Sequence, residues 1–156
     1  MDDSLKQRRA VAADAAAIRA LTRAAYAKWV AVIGSEPAPM VADYDASVHE
    51  HRFDLLEADG AMAALIETID EADHLLIENL AVAPTFQGRG LARRLLAHAE
   101  ALAADLGYRE IRLYTNKQFR ENIALYLKFG YHIDSEAPFR GGWTVNMSKR
   151  ISPGLG

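Results

Sequence analysis

The chain has 156 residues, 51% of them hydrophobic and 25% charged, enough for one domain with its own core and too few for a second. A formal charge of -3 argues against nucleic acid or an anionic membrane as the principal partner, and the absence of cysteine excludes disulfides, thiolate metal sites and a cysteine nucleophile. No run approaches the roughly 18 apolar residues of a membrane span, and the polar start "MDDSLKQRR" has no signal-type apolar stretch, so a cytoplasmic protein is expected.

In chain order, "DAAAIRALTRAAYAKWVAVIG" predicts a helix, with Asp14 as N-cap, Ile18, Leu21, Ala25 and Trp29 at helical spacing, and Gly34 beyond the end. The proline-punctuated "GSEPAPMVADYD", residues 34 to 45, reads as a loop, and "ADYDASVHEH" as a short helix. In "FDLLEADGAMAALIETIDEADHLLIENLAV" three strand-like runs are divided by turn residues at Asp59-Gly60 and Asp70 to Asp73, the pattern of an antiparallel meander. Leu91, Leu95, Leu102 and Leu106 then form the stripe of a helix that ends at Gly107. "EIRLYT" alternates as a strand, "RENIALYLKFG" is a helix stopped by Gly130, and "WTVNMSKRI" reads as a last strand. The order predicts an α/β domain spanning 1–156, its mixed sheet antiparallel at the start with a right-handed crossover in the middle.

The densest chemical signal is "QGRGLA", residues 87 to 92, where a strand turns sharply into a helix. A helix N-terminus carries unpaired N–H groups and the positive end of the macrodipole, so such a turn is a ready anion site. Gly88 and Gly90 let an anion approach the backbone, Arg89 adds a mobile charge, and Arg93 and Arg94 follow one turn on. The spacing is neither the dinucleotide G-x-G-x-x-G nor a P-loop, which needs a following Lys-Ser/Thr pair.

Gln87-Gly88-Arg89-Gly90-Leu91-Ala92 resembles the Q/R-x-x-G-x-G/A signature of the GCN5-related N-acetyltransferases (GNAT), which binds the pyrophosphate of acetyl-CoA. "LLIENLAVAPTFQGRGLARRLL" resembles that family's fourth strand running into its third helix, and "NIALYLKFGYH" its later helix with Tyr-x-x-x-Gly-Tyr/Phe. The likeness covers residues 74 to 133 well and the earlier part by element order. It implies a mixed, mostly antiparallel sheet flanked by helices, with strands four and five splayed to admit the acyl-CoA. It further implies acetyl transfer from acetyl-CoA to a primary amine by direct attack in a ternary complex. The cofactor-binding residues would be Leu80 and Val82 through their backbone, Gln87, Gly88, Arg89, Gly90, Leu91 and Ala92 at the pyrophosphate, and Asn122 on the pantetheine arm. Tyr126 would meet the sulfur.

Asn122 and Tyr126 lie four apart on one helix and share a face, as they would also in a plain core stripe with a helix cap. Glu78 interrupts an apolar run and, by strand alternation, shares a face with His74, Leu76, Leu80 and Val82. It reads either as a solvated edge residue or as the group that takes a proton from the incoming amine. Tyr26, Trp29 and Glu36, with Asp43 and Asp45, border the region where the family places its acceptor, and aromatics with carboxylates suit a cationic amine. The five histidines lack dense ligand spacing; His49 and His51, if on one strand, would share a face without a third ligand, so no metal is expected and the pair reads as a surface or substrate contact. A catalytically idle acyl-CoA-binding or sensing module is the competing reading. The acceptor, as a small molecule, peptide N-terminus or lysine, and a homodimer are left open.

Overall fold

The computed structural model describes residues 5–153. Seven strands hydrogen-bond in the order β1-β2-β3-β4-β5-β7-β6: β1 Leu5–Arg9, β2 Arg52–Ala58, β3 Ala61–Asp70, β4 Leu75–Val82, β5 Glu110–Asn116, β6 His132–Phe139 and β7 Gly142–Arg150. The helices are α1 Ala15–Ile33, α2 Ala38–Val41, α3 Tyr44–Glu50, α4 Leu91–Asp105 and α5 Arg120–Lys128. Contacts group the chain into two compact units. One runs to Thr68 and includes Asn79–Ala97; the other holds Ile69–Glu78 and the residues from His98 onward.

The first unit contains β1, β2 and most of β3, with β1 and β2 antiparallel, β2 and β3 antiparallel, and a bulge at Leu56/Glu57. Asp59 and Gly60, both at positive φ, make the tight turn between β2 and β3, as the sequence predicts. Ile18 and Leu21 of α1 pack with Tyr44, Phe53, Leu55, Leu65 and Ala81 into a core. Asp14 stands at the N-cap position of α1 but makes no capping bond there. Its carboxylate instead accepts from the Val11 N–H at 2.7 Å and from both Nη atoms of Arg8 at 2.9 and 2.8 Å, which fastens β1 to the helix entry.

The second unit contains the start of β4, then β5, β7 and β6. β4 runs parallel to β5 over Leu75–Ile111, Leu76–Arg112 and Ile77–Leu113, and β7 is antiparallel to both β5 and β6. A parallel pair needs a crossover connection, and α4 lies in the chain between β4 and β5.

Several expectations need correction. The segment 34–45 is not wholly loop: Pro37 is the N-cap of a one-turn helix, α2, and Pro39 lies in its first turn, where a fixed φ suits the helix and the missing N–H costs no intrahelical bond. Leu106 lies beyond α4 and is 45% exposed, so the stripe closes through Leu91, Leu95, Leu96, Ala99 and Ala103. His49 and His51 do not share a strand, since His49 lies in α3 and His51 is its C-cap. Strands β1 and β6 add to the elements read from the sequence. No helix among the described residues is long and apolar enough to cross a membrane.

Candidate active site

The loop after β4 has the geometry of an anion cradle. A short 3-10 turn, Pro84–Phe86, leads into Gln87, Gly88, Arg89 and Gly90, all exposed. Gly88 and Gly90 sit at φ +78 and +80, conformations L side chains rarely adopt, and a Cβ built on either meets nothing within 4 Å. Backbone geometry demands glycine, and the space above it is open to a ligand. Arg94 N–H donates to the Gly90 carbonyl at 3.1 Å, so α4 begins at Leu91, whose buried side chain anchors the turn. The amides of Leu91, Ala92 and Arg93 precede the first such donor and are the ones a helix start presents to an anion. Arg89 lies 5.1 Å above the Phe86 ring, and Gln87 Nε2 reaches the Val82 carbonyl at 3.4 Å.

β4 alternates buried and half-buried residues along its length. Glu78, Leu80 and Val82 occupy the half-buried face, as predicted. The Tyr114 hydroxyl donates to Glu78 Oε1 at 2.6 Å. On the other face Asn79 is 3% exposed and fully engaged. Its Oδ1 accepts from the Tyr26 hydroxyl at 2.9 Å, and its Nδ2 donates to Thr22 Oγ1 at 3.3 Å and the Tyr44 hydroxyl at 3.2 Å. Tyr44 donates onward to the Pro39 carbonyl at 2.6 Å. Tyr26 also approaches the Leu80 carbonyl at 3.3 Å, so the α1 aromatic is brought directly onto β4.

The other acceptor-side residues have different surroundings. Trp29 is buried, with Lys28 Nζ 5.0 Å from its ring centre. Glu36 is exposed and pairs with Arg23 at 2.5 Å, while Arg23 also donates to the Met40 carbonyl at 2.8 Å. Asp43 caps α3 through the Ala46 N–H, and Asp45 pairs with Arg19 at 3.0 Å. His51 Nδ1 meets Glu67 Oε2 at 2.6 Å, and no group of three potential metal ligands occurs among the described residues.

In the second unit, Tyr126 lies on α5, one turn beyond the half-buried Asn122. Tyr126 is buried, and desolvation pushes its hydroxyl well above the ordinary range, so it stays a neutral proton donor at physiological pH. Phe119, not Asn122, is the N-cap of α5. Ser148, His132 and Asp134 also meet, but the serine and the aspartate both lie on His132 Nε2, at 3.4 and 3.1 Å. A hydrolytic relay needs them on opposite ring nitrogens.

Asn79 and Tyr114 are the polar contacts around β4 that the sequence does not single out by motif. Asn79 was detectable as an amide on the buried side of an alternating strand, and Tyr114 as an aromatic on the outward side of "EIRLYT".

The sequence matches the family model of the acetyltransferase (GNAT) family over residues 16–131. The chain belongs to the GNAT family. Among curated relatives, N-alpha-acetyltransferase 80 of Mus musculus is 35% identical over 71 residues, 46% of this chain but only 21% of that protein's length. PaiA N-acetyltransferase from Thermoplasma acidophilum, solved in complex with coenzyme A, superposes with a TM-score of 0.82 at 20% identity, covering 95% of this chain and 99% of that one. The ribosomal-protein-S18-alanine N-acetyltransferase of Escherichia coli gives 0.77 at 22% identity, covering 96% of each. At such identities these structures establish that the GNAT fold is shared.

Proposed function

We propose that residues 1–156 act as one N-acetyltransferase domain that moves an acetyl group from acetyl-CoA to a primary amine by direct attack in a ternary complex. The observation that carries this reading is the loop at Gly88 and Gly90, where two left-handed glycines open the start of α4 to a pyrophosphate. The coenzyme A complex of the Thermoplasma neighbour supports the donor, and the acceptors named for the curated and Escherichia coli relatives support an amine.

In this reading Gln87 to Ala92 hold the pyrophosphate through backbone N–H groups and Arg89, and Asn122 holds the pantetheine arm. The backbone at Leu80 and Val82 holds the extended pantetheine and the thioester carbonyl, much as a strand edge takes up another strand. An N–H aimed at that carbonyl stabilises the negative charge that grows on its oxygen during attack. The end of the β4–β5 ladder at Ile77–Leu113, with β4 continuing to Val82, supports the use of these groups by a ligand.

Glu78 takes the proton from the ammonium form of the acceptor, directly or through water, so that a neutral amine attacks. The carbon–nitrogen bond forms as the carbon–sulfur bond breaks, the attacking nitrogen gives up its second proton to water as it becomes an amide, and the sulfur leaves as a thiolate to which the Tyr126 hydroxyl donates a hydrogen bond. Tyr26 and Glu36 border the acceptor. Trp29 shapes that wall from within the core rather than by touching the amine, in keeping with its burial.

Calorimetric titration with acetyl-CoA, followed by a free-CoA release assay over a panel of small amines, peptide N-termini and lysines, tests the proposal. Binding with release on one class supports it and names the acceptor. Binding without release on any class means an idle acyl-CoA-binding module.

A further inference from the structure

The second unit holds a polar brace behind Tyr126. Tyr131 N–H donates to the Tyr126 carbonyl at 3.0 Å, a bond that wraps the end of α5 across Gly130. The two phenol rings meet edge to face, 5.9 Å between centres at 64°. Tyr131 is 2% exposed, and its hydroxyl donates to Glu100 Oε2 of α4 at 3.3 Å. Glu100 Oε1 in turn receives Lys149 Nζ of β7 at 2.9 Å, and that ammonium lies 5.8 Å from the Tyr131 ring centre. Lys149 passes so close to the turn that a Cβ on Gly130 would stand 3.2 Å from its Cε. Three elements therefore converge on one buried ring, whose face or edge is the wall against which Tyr126 rests.

We infer that Tyr131, held by Glu100 and Lys149, is a positioning residue that fixes the ring of Tyr126 and so aims its hydroxyl. This rests on the reading of Tyr126 as the donor to sulfur. A side chain that must meet a charge appearing only in the transition state loses much of its effect if its ring can swing, because misplacement by a fraction of an ångström weakens a directional hydrogen bond. An edge-to-face contact restrains that swing only if the contacting ring is itself immobile. The hydroxyl of Tyr131 supplies this fixity, and burial together with the Glu100 charge keeps it a protonated donor.

The test is a double-mutant cycle on the fastest amine of the panel. Tyr131→Phe keeps the ring and removes the anchor. It should lower kcat by roughly three- to tenfold, leave acetyl-CoA affinity unchanged, and have no effect on kcat in a Tyr126→Phe background. Equal loss in both backgrounds, or full kcat in Tyr131→Phe alone, overturns the inference while leaving the role of Tyr126 intact. Full kcat in Tyr126→Phe overturns both. Glu100→Met removes both acceptor oxygens while leaving both rings in place, and should repeat the pattern if the tyrosine variant folds poorly. Aromatic NMR of the free protein gives a readout that needs no turnover: the Tyr126 ring should flip faster in both variants, and unchanged flipping in both overturns the brace.

Discussion

Tyr114 donates its hydroxyl to Glu78 Oε1 at 2.6 Å and thereby fixes the one carboxylate of β4 against the outward face of β5. The hydrogen bond occupies one oxygen and orients the other, which suits a residue that must receive a proton from a fixed direction. We expect Glu78→Gln to lower kcat/KM by roughly a hundredfold near neutral pH and by less in alkali, since an alkyl ammonium of pKa about 10.4 sheds its own proton there. Tyr114→Phe should cost roughly two- to tenfold, as the carboxylate survives but loses its orientation. A pH–rate profile of each variant decides: a Glu78→Gln curve that overlays the parent's makes Glu78 structural.

At the loop, Gly90→Val should weaken acetyl-CoA binding by roughly tenfold or more. The substituted Cβ meets nothing in the free protein, so the folded state suffers chiefly from the left-handed φ of +80, a local strain of about 1–2 kcal/mol. The larger loss arises when a phosphate must approach the backbone past a branched side chain. Calorimetric titration beside a urea melt separates the two, and unchanged affinity in a folded variant would place the phosphates elsewhere.

Asn79→Ala should destabilise the fold by about 2–3 kcal/mol, because the buried Thr22 and Tyr44 and the half-buried Tyr26 each lose a hydrogen bond to it. The urea midpoint measures this. A loss below about 0.5 kcal/mol would mean that the three hydroxyls find other partners at little cost.

Acid should dissolve the tie between Arg8 and Asp14. The side-chain hydrogen bond from Arg8 is the main cause that holds the Asp14 carboxyl below its ordinary value of 3.8, against an opposing desolvation. The resulting stability is complete above that value and vanishes as the pH falls through the lower folded pKa. Arg8→Met removes both this tie and the Arg8 pair with Glu57 at 2.9 Å; it should cost on the order of 1 kcal/mol near neutrality, given an Arg8 side chain 38% exposed and screened by water, and lose that penalty in strong acid, where both carboxylates are protonated. Urea midpoints at both extremes provide the check, and a penalty independent of pH would assign it to lost packing.

What the sequence revealed and what it hid follow from where each signal comes. Two-residue alternation made β4 legible, including the side on which Glu78 lies, because one face of that strand is buried. β1, "LKQRR", and β6, "HIDSEAPF", are edge strands with little buried surface, so no hydrophobic period marks them; they exist because β2 and β7 offer backbone partners. The left-handed turn at Gly88 and Gly90 was readable from residue type alone, whereas the bond from Tyr114 to Glu78 depends on the register of β4 against β5. The Glu100–Lys149–Tyr131 brace joins residues 31 and 49 positions apart, a distance at which periodicity is silent.

The sharpest test of the chemistry lies with Tyr126. A thiolate whose conjugate thiol has a pKa of about 8.5 is already a fair leaving group, and a phenol near 10 is the weaker acid, so complete proton transfer is uphill by about 2 kcal/mol in ordinary surroundings. Burial makes it steeper from the tyrosine side, because it pushes the Tyr126 hydroxyl further up by penalising the phenolate. Tyr126 therefore acts in this reading by donating a hydrogen bond to charge developing on sulfur, and the sulfur departs as a hydrogen-bonded thiolate. Tyr126→Phe keeps the ring against Tyr131 and removes only that donor. We expect kcat to fall by roughly ten- to a thousandfold, the range of lost transition-state hydrogen bonds and acid catalysis. Acetyl-CoA affinity should hardly move, since the interaction strengthens only as the charge appears. The measurement pairs steady-state kinetics on a responsive amine with direct titration of acetyl-CoA. Full kcat would return Tyr126 to a purely packing role beside Tyr131. A loss of binding in place of rate would make it a residue of the cofactor pocket with no part in the chemistry.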